Sequence, residues 1–185
     1  MERNGLMRKT PQLTRFVTLL SLTLAVEMIG LPQPITGPLI NALLLLIALF
    51  LTPGAAAAAG CLTPLLALLR GLLPPLLWPT VPLIALGNVL WVFVFYAVAR
   101  PRSRPANHLA KSVRAWLGLF AAAACKTLWL FAGARLILPF LFGVHLPEKF
   151  LGLLAAPQLF TALSGGVLVF ILHRHLIPVL QSPPR

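Results

Sequence analysis

Residues 31–54 read LPQPITGPLINALLLLIALFLTPG. From Leu39 to Leu51 the only polar residue is Asn41. Proline-rich Leu31-Pro32-Gln33-Pro34 cannot continue a helix from the left, and Thr52-Pro53-Gly54 ends one on the right. Thr36 is placed to cap the helix between them. Pro38 falls in the first turn, where its missing N–H does no harm. The stretch therefore predicts an apolar helix over about 36–51.

The same reading extends in both directions. Apolar helices are expected at about 15–30, 55–73, 81–98, 113–138 and 157–172. Segment 71–79 (GLLPPLLWP) is too proline-rich for a regular helix and too apolar for a solvated loop, so it is expected to fold back as a partly buried cap. A basic loop holding Arg100, Arg102, Arg104, His108, Lys111 and Arg114 separates the fourth and fifth helices. No internal repeat and no soluble linker interrupt the pattern.

Composition gives the helices their solvent. Of 185 residues, 59% are hydrophobic and 10% are charged, against roughly 25% charged in soluble domains. The mean hydropathy is +0.93. Glu2, Glu27 and Glu148 are the only acids. Such a chain has too little polar surface to cover itself in water, whereas lipid accepts apolar side chains. One crossing takes about 20 apolar residues. The expected fold is therefore all-α, an integral membrane bundle of six transmembrane helices forming a single domain.

The net charge of +12 does not point to nucleic acid, because the basic residues lie at the ends of apolar runs. With the N-terminus placed in the cytoplasm, Arg3, Arg8, Lys9, Arg15, the 100–114 loop, Arg174 and Arg185 fall inside. Arg70, Arg135 and Lys149 fall outside. That asymmetry predicts a multi-pass protein of the cell membrane with both termini cytoplasmic. The basic, then apolar N-terminus resembles a signal peptide but is read as a first helix that stays in place.

Ionisable groups within spans are expensive and mark candidate sites. Lys126 lies near the middle of the fifth span, where it either contacts a solute or pairs internally, with Glu27 as the candidate partner. Ser21 and Ala25 form a small-xxx-small face for close helix contact. Glu27, two residues past Ala25 and about 200° around the helix, points into the bundle if that face meets a partner. Arg135 is half a turn out of phase with Lys126 and is expected to snorkel to the interface. Arg70 is placed either to bind a ligand or to anchor the interface.

Spans two, four and six carry their neutral polar residues in the first turns: Thr36 and Asn41, Thr80 and Asn88, Gln158 and Thr161. Their inner halves are nearly pure hydrocarbon. Capping explains Thr36 and Thr80, while Asn41 and Asn88 lie deeper. Helix starts present unpaired N–H groups and a positive dipole end. With Gln33, Arg70 and Lys126 in reach, these starts suit a small anionic or amide-bearing solute. Trp78, Trp91, Trp116 and Trp129 are read as interface-belt residues, with Trp78 the candidate for stacking.

Cys61 and Cys125 lack metal-ligand spacing and are read as packing residues. His173 and His175 have no acidic or cysteine companion and are read as membrane-surface residues. There is no Asp and no hydrolase, kinase or metalloprotease motif. No catalytic residue, metal site or cofactor is expected.

The stretch at 31–42 (LPQPITGPLINA), with 65–75 (LLALLRGLLPP), 82–88 (PLIALGN) and 156–166 (APQLFTALSGG), resembles the substrate-binding S components of energy-coupling factor (ECF) transporters. The resemblance implies a pocket near the outer face for a vitamin or similar micronutrient. It also implies uptake driven by a transmembrane T component and two ATPase subunits. The family's A-x-x-x-A contact with the T component falls on Ser21 and Ala25, with serine replacing the first alanine. A membrane assembly or scaffold protein without a small-molecule ligand is the alternative. An integral membrane enzyme is less favoured, for want of carboxylates and histidines at the right depth.

Overall fold

A computed structural model describes residues 3–99 and 109–181, with side chains described within 12–99 and 109–173 and at His175. Arg100, Arg102, Arg104, His108 and Arg185 of the orientation argument lie outside the described residues, as do the side chains of Arg3, Arg8, Lys9 and Arg174.

The helices in chain order are α1 Arg3–Ile29, α2 Gln33–Phe50, α3 Pro53–Leu69, α4 Val81–Ala99, α5 Val113–Ala132, α6 Leu138–Phe142, α7 Glu148–Leu153 and α8 Ala156–Gln181. No strand occurs among the described residues. Five stretches are long and apolar enough to cross a membrane: 12–29, 33–50, 75–99, 113–142 and 148–173. α3 is shorter, at 17 residues, or about 25 Å at 1.5 Å per residue.

Local chemistry sets the helix ends. Thr52 caps α3 by accepting from Ala55 N–H at 3.1 Å, with Pro53 at the first helical position. Ser112 caps α5 by accepting from Ala115 N–H at 3.3 Å. Both are Ser/Thr caps of the expected kind. Thr36 and Thr80 behave differently from expectation. Thr36 lies inside α2 and donates to the Leu31 carbonyl at 2.7 Å. Thr80 donates to the Leu77 carbonyl at 2.6 Å. Neither hydroxyl accepts from a helix-start N–H, because in each case a proline already opens the helical segment.

The 71–79 segment is partly buried, with Leu73 on the wall of the cavity described below. α3 stops before Gly71, and Pro75–Thr80 winds into a short 3-10 helix that runs straight into α4. Leu72, Leu76 and Trp78 are exposed there, while Leu73 and Leu77 are half-buried. The expected fifth helix is continuous and longer than anticipated: α5 passes through a wider π turn at Gly133–Ile137 into α6, one apolar stretch over 113–142. The short α7 was not anticipated.

α2 packs against α8, α1, α3 and α4, and the contacts α3–α4, α4–α5 and α5–α8 form an arc that begins and ends on α2. α1 lies outside that arc, on α2 and α3. Lipid tails are as apolar as leucine, so helix association there rests on close packing and interhelical hydrogen bonds. Glycine supplies the close packing. A methyl at Gly165 would lie 2.7 Å from both Asn41 Cβ and the Pro38 carbonyl, and one at Gly60 would lie 2.9 Å from Asn88 Cβ. These two contacts seat α8 on α2 and α3 on α4 at the level of the two asparagines.

The two ends of the bundle differ. Toward the end where α2 and α4 stop and α5 starts, Leu45, Ile47, Phe95, Leu119, Val169 and their neighbours form a fully buried hydrocarbon plug. Where α1 and α3 stop and α2, α4 and α8 start, Asn41, Asn88 and Lys126 are buried together; at the plug end Ser112 and His173 are buried at its margin.

Candidate functional site

The buried polar group is built from three helices. Lys126 on α5 is 4% exposed. Its ammonium donates to Asn41 Oδ1 on α2 at 2.7 Å and to Asn88 Oδ1 on α4 at 2.8 Å. The aliphatic stem starts two turns below the end of α5, too deep for the head to reach water along the helix.

The Asn88 amide is held in turn. Pro64 sits inside α3 and has no N–H, so the carbonyl of Gly60, four residues earlier, loses its helical donor. Asn88 Nδ2 takes that carbonyl at 2.8 Å and also reaches Thr63 Oγ1 at 3.2 Å. Thr63 itself donates to the same carbonyl at 3.2 Å. With Nδ2 committed to α3, the other end of the Asn88 amide is left to face Lys126. The backbone around Asn41 is tied by Trp91, whose indole N–H donates to the Asn41 carbonyl at 3.2 Å. Trp91 is therefore a fully buried core residue, not the interface-belt residue the sequence suggested. It is anchored there by that bond.

A cavity of about 100 Å³ opens beside this cluster. Glu27, Gln33, Thr36, Asn41, Asn88, Lys126 and Gln158 contribute its polar wall. Gly37, Ile40, Thr63, Pro64, Ala67, Leu73 and Ile84 complete it. At about 10–15 Å³ per water, that is room for roughly seven to ten waters or a solute of similar size. It is smaller than the roughly 300–1,000 Å³ of drug-sized sites.

Seven of the nine expected binding residues thus line one cavity. The other two do not. Arg70 is exposed at the end of α3, with its guanidinium near the α1–α2 turn, 3.7 Å from where a Gly30 side chain would begin. Thr161 is buried, donates to the Gln158 carbonyl at 3.1 Å and packs its methyl on Gly37. Sequence reasoning missed Gly60, Thr63 and Pro64. The readable signal was a Thr-Pro pair inside an apolar helical run, which frees a carbonyl for a side chain elsewhere.

The electrostatics are unusual in one respect. Lys126 pairs with neutral oxygens and not with Glu27. Among the described residues the recorded ion pair is Arg135–Glu148, exposed, at 2.6 Å. Glu27 is half-buried on the cavity wall and has no recorded hydrogen bond or ion pair among those residues. Asn41 Nδ2 and the Gln158 amide likewise have no recorded protein partner there, so donors and acceptors remain available to the cavity.

Ser21 and Ala25 are exposed on the opposite side of α1 from the bundle, in a stripe with Val17 and Met28. Of the remaining tryptophans, Trp78 and Trp116 are exposed and Trp129 is half-buried. Trp78 donates to its own segment at Leu73, 3.1 Å away. Among the described residues no group of three His, Cys, Asp or Glu side chains is placed to hold a metal ion.

Compared with known proteins, the chain matches no family model, no curated protein and no solved structure.

Proposed function

We propose that this chain is a solute-binding membrane subunit that captures a small, anionic molecule at the outer face. Its helices form a six-crossing bundle, with α3 as the short sixth crossing. Both termini lie in the cytoplasm, so the cavity end faces outward and the hydrocarbon plug faces in. The positive-inside bias of the basic residues supports that orientation.

The observation that carries the reading is the state of Lys126. It is a buried lysine head held by two amide oxygens with no carboxylate, at the wall of a polar cavity. A buried charge without a countercharge is costly, and intramembrane cations usually pair or serve a ligand. An anionic group of the solute supplies the missing countercharge. The starts of α2 and α8, which bring Gln33, Thr36 and Gln158 to the cavity, add favourable dipole ends.

The energy source lies in partner proteins, since the sequence has no nucleotide-binding motif. The ECF resemblance names them: a T component and two ATPases acting on an S component. The exposed Ser21/Ala25 stripe on the least embedded helix is where such a partner would pack. A scaffold without a ligand is the rival reading, and it leaves the cavity and the unpaired Glu27 without a purpose.

Mass spectrometry of small molecules released from the purified chain tests the proposal. A solute bearing an anionic group is expected from the wild type and not from Lys126→Met. An identical set of released molecules from both would remove Lys126 from the site and the proposal with it.

A further inference from the structure

The cavity wall carries more than an anion needs. Glu27 and Lys126 have opposite formal charges and line the same cavity, yet they are not paired with each other. They also sit at different depths. Glu27 lies two residues from the end of α1, whereas Asn41 and Asn88, which hold Lys126, lie eight and seven residues into α2 and α4. At 1.5 Å per residue the carboxylate starts roughly 3 Å from the rim, and the asparagines start roughly 10–12 Å below it.

The donors cluster at the floor, where Lys126 and Asn41 Nδ2 are found. The carboxylate sits near the mouth. In about 100 Å³ a bound simple anion would meet Glu27 with little water between, and like charges repel strongly in such a setting. A simple cation held by Glu27 would meet Lys126 in the same way. A molecule carrying both charges satisfies both ends.

We infer that the cavity takes a compact zwitterion, with its anionic group on Lys126 and Asn41 and its ammonium group on Glu27. This rests on the solute-binding reading above: it keeps the anionic group on Lys126 and adds an ammonium group, so the solute as a whole is neutral. The two amides of Gln33 and Gln158 flank the mouth and tolerate either polarity, since each offers a donor and an acceptor.

Isothermal titration calorimetry of the full chain in lipid nanodiscs tests the inference. The probes are glycine, β-alanine and γ-aminobutyrate. Each is compared with its matched acid (acetate, propionate, butyrate) and amine (methylamine, ethylamine, propylamine). At least one amino acid is expected to bind about tenfold or more tightly than both of its matched partners. Glu27→Gln is expected to erase the preference over the acid without weakening the acid itself. An acid that equals or beats its amino acid in the wild type would overturn the zwitterion while leaving the anion site standing. So would a preference unchanged in Glu27→Gln. Amines that bind best, or no binding by any probe at millimolar concentration, would overturn both readings.

Discussion

Asn88 Nδ2 lies 2.8 Å from the carbonyl oxygen of Gly60, on the neighbouring helix. That acceptor is free because the residue one turn on is Pro64. A backbone irregularity in α3 thereby orients a side chain of α4, whose other end then receives Lys126 from α5. Three helices are joined through one amide, and all three meet at the cavity.

Replacing that amide should be felt in stability. Asn88→Leu leaves the Gly60 carbonyl with the weaker Thr63 bond and leaves Lys126 with a single amide acceptor. A loss of about 1–3 kcal/mol is expected from stranded buried polar groups. Reversible unfolding in mixed micelles measures it.

Asn41→Asp should have the opposite effect on stability. Asn41 Oδ1 already accepts from Lys126, and its Nδ2 has no protein partner among the described residues, so the change loses no protein bond there and gives Lys126 a carboxylate. The existing bond is already charge-assisted on the lysine side, and a carboxylate adds the missing countercharge, a gain on the order of 1 kcal/mol. The variant is expected to melt higher while losing retained solute, because the internal carboxylate replaces the ligand's. Equal solute retention would show that Lys126 needs no external anion.

Helix contact through glycine gives a third expectation. Gly165→Ala drives a methyl to within 2.7 Å of Asn41 Cβ and the Pro38 carbonyl. Overpacking of this kind costs about 1–3 kcal/mol and should shift Asn41, so both stability and solute affinity fall. Gly152→Ala on α7 meets open space and should leave both unchanged. Thermal melts of the pair check the contrast.

On α1, Ser21→Trp fills the exposed stripe without touching the cavity. Solute retention should persist, while co-purification with a transmembrane partner falls. Pull-down of the partner from co-expressing cells provides the readout.

Much of the site was legible from polarity alone. Asn41, Asn88 and Lys126 stand out because each is a polar residue within an apolar run, and burial in one cluster is the inexpensive way to keep them there. The all-helical character and the long apolar helices were legible for the same reason. Other features depend on three-dimensional neighbours. Nothing local says that Gly60 and Asn88, 28 positions apart, share a bond. Trp91 looks like any membrane tryptophan until the Asn41 carbonyl is placed beside it. Arg70 and Thr161 lie in the right helix ends but on the wrong faces, and boundary uncertainty at a helix end leaves the face undetermined. Thr36 has the composition of a cap, yet Pro34 had already opened the helix.

The central claim concerns what completes the surroundings of the Lys126 ammonium. An experimental structure of the chain purified from its own membrane, at a resolution that distinguishes solute from water, measures this directly. Non-protein density is expected within hydrogen-bond distance of Lys126 Nζ, on the side open to Glu27 and Gln158. An ammonium enclosed by Asn41, Asn88 and ordered water alone, with the cavity collapsed or water-filled, would contradict it.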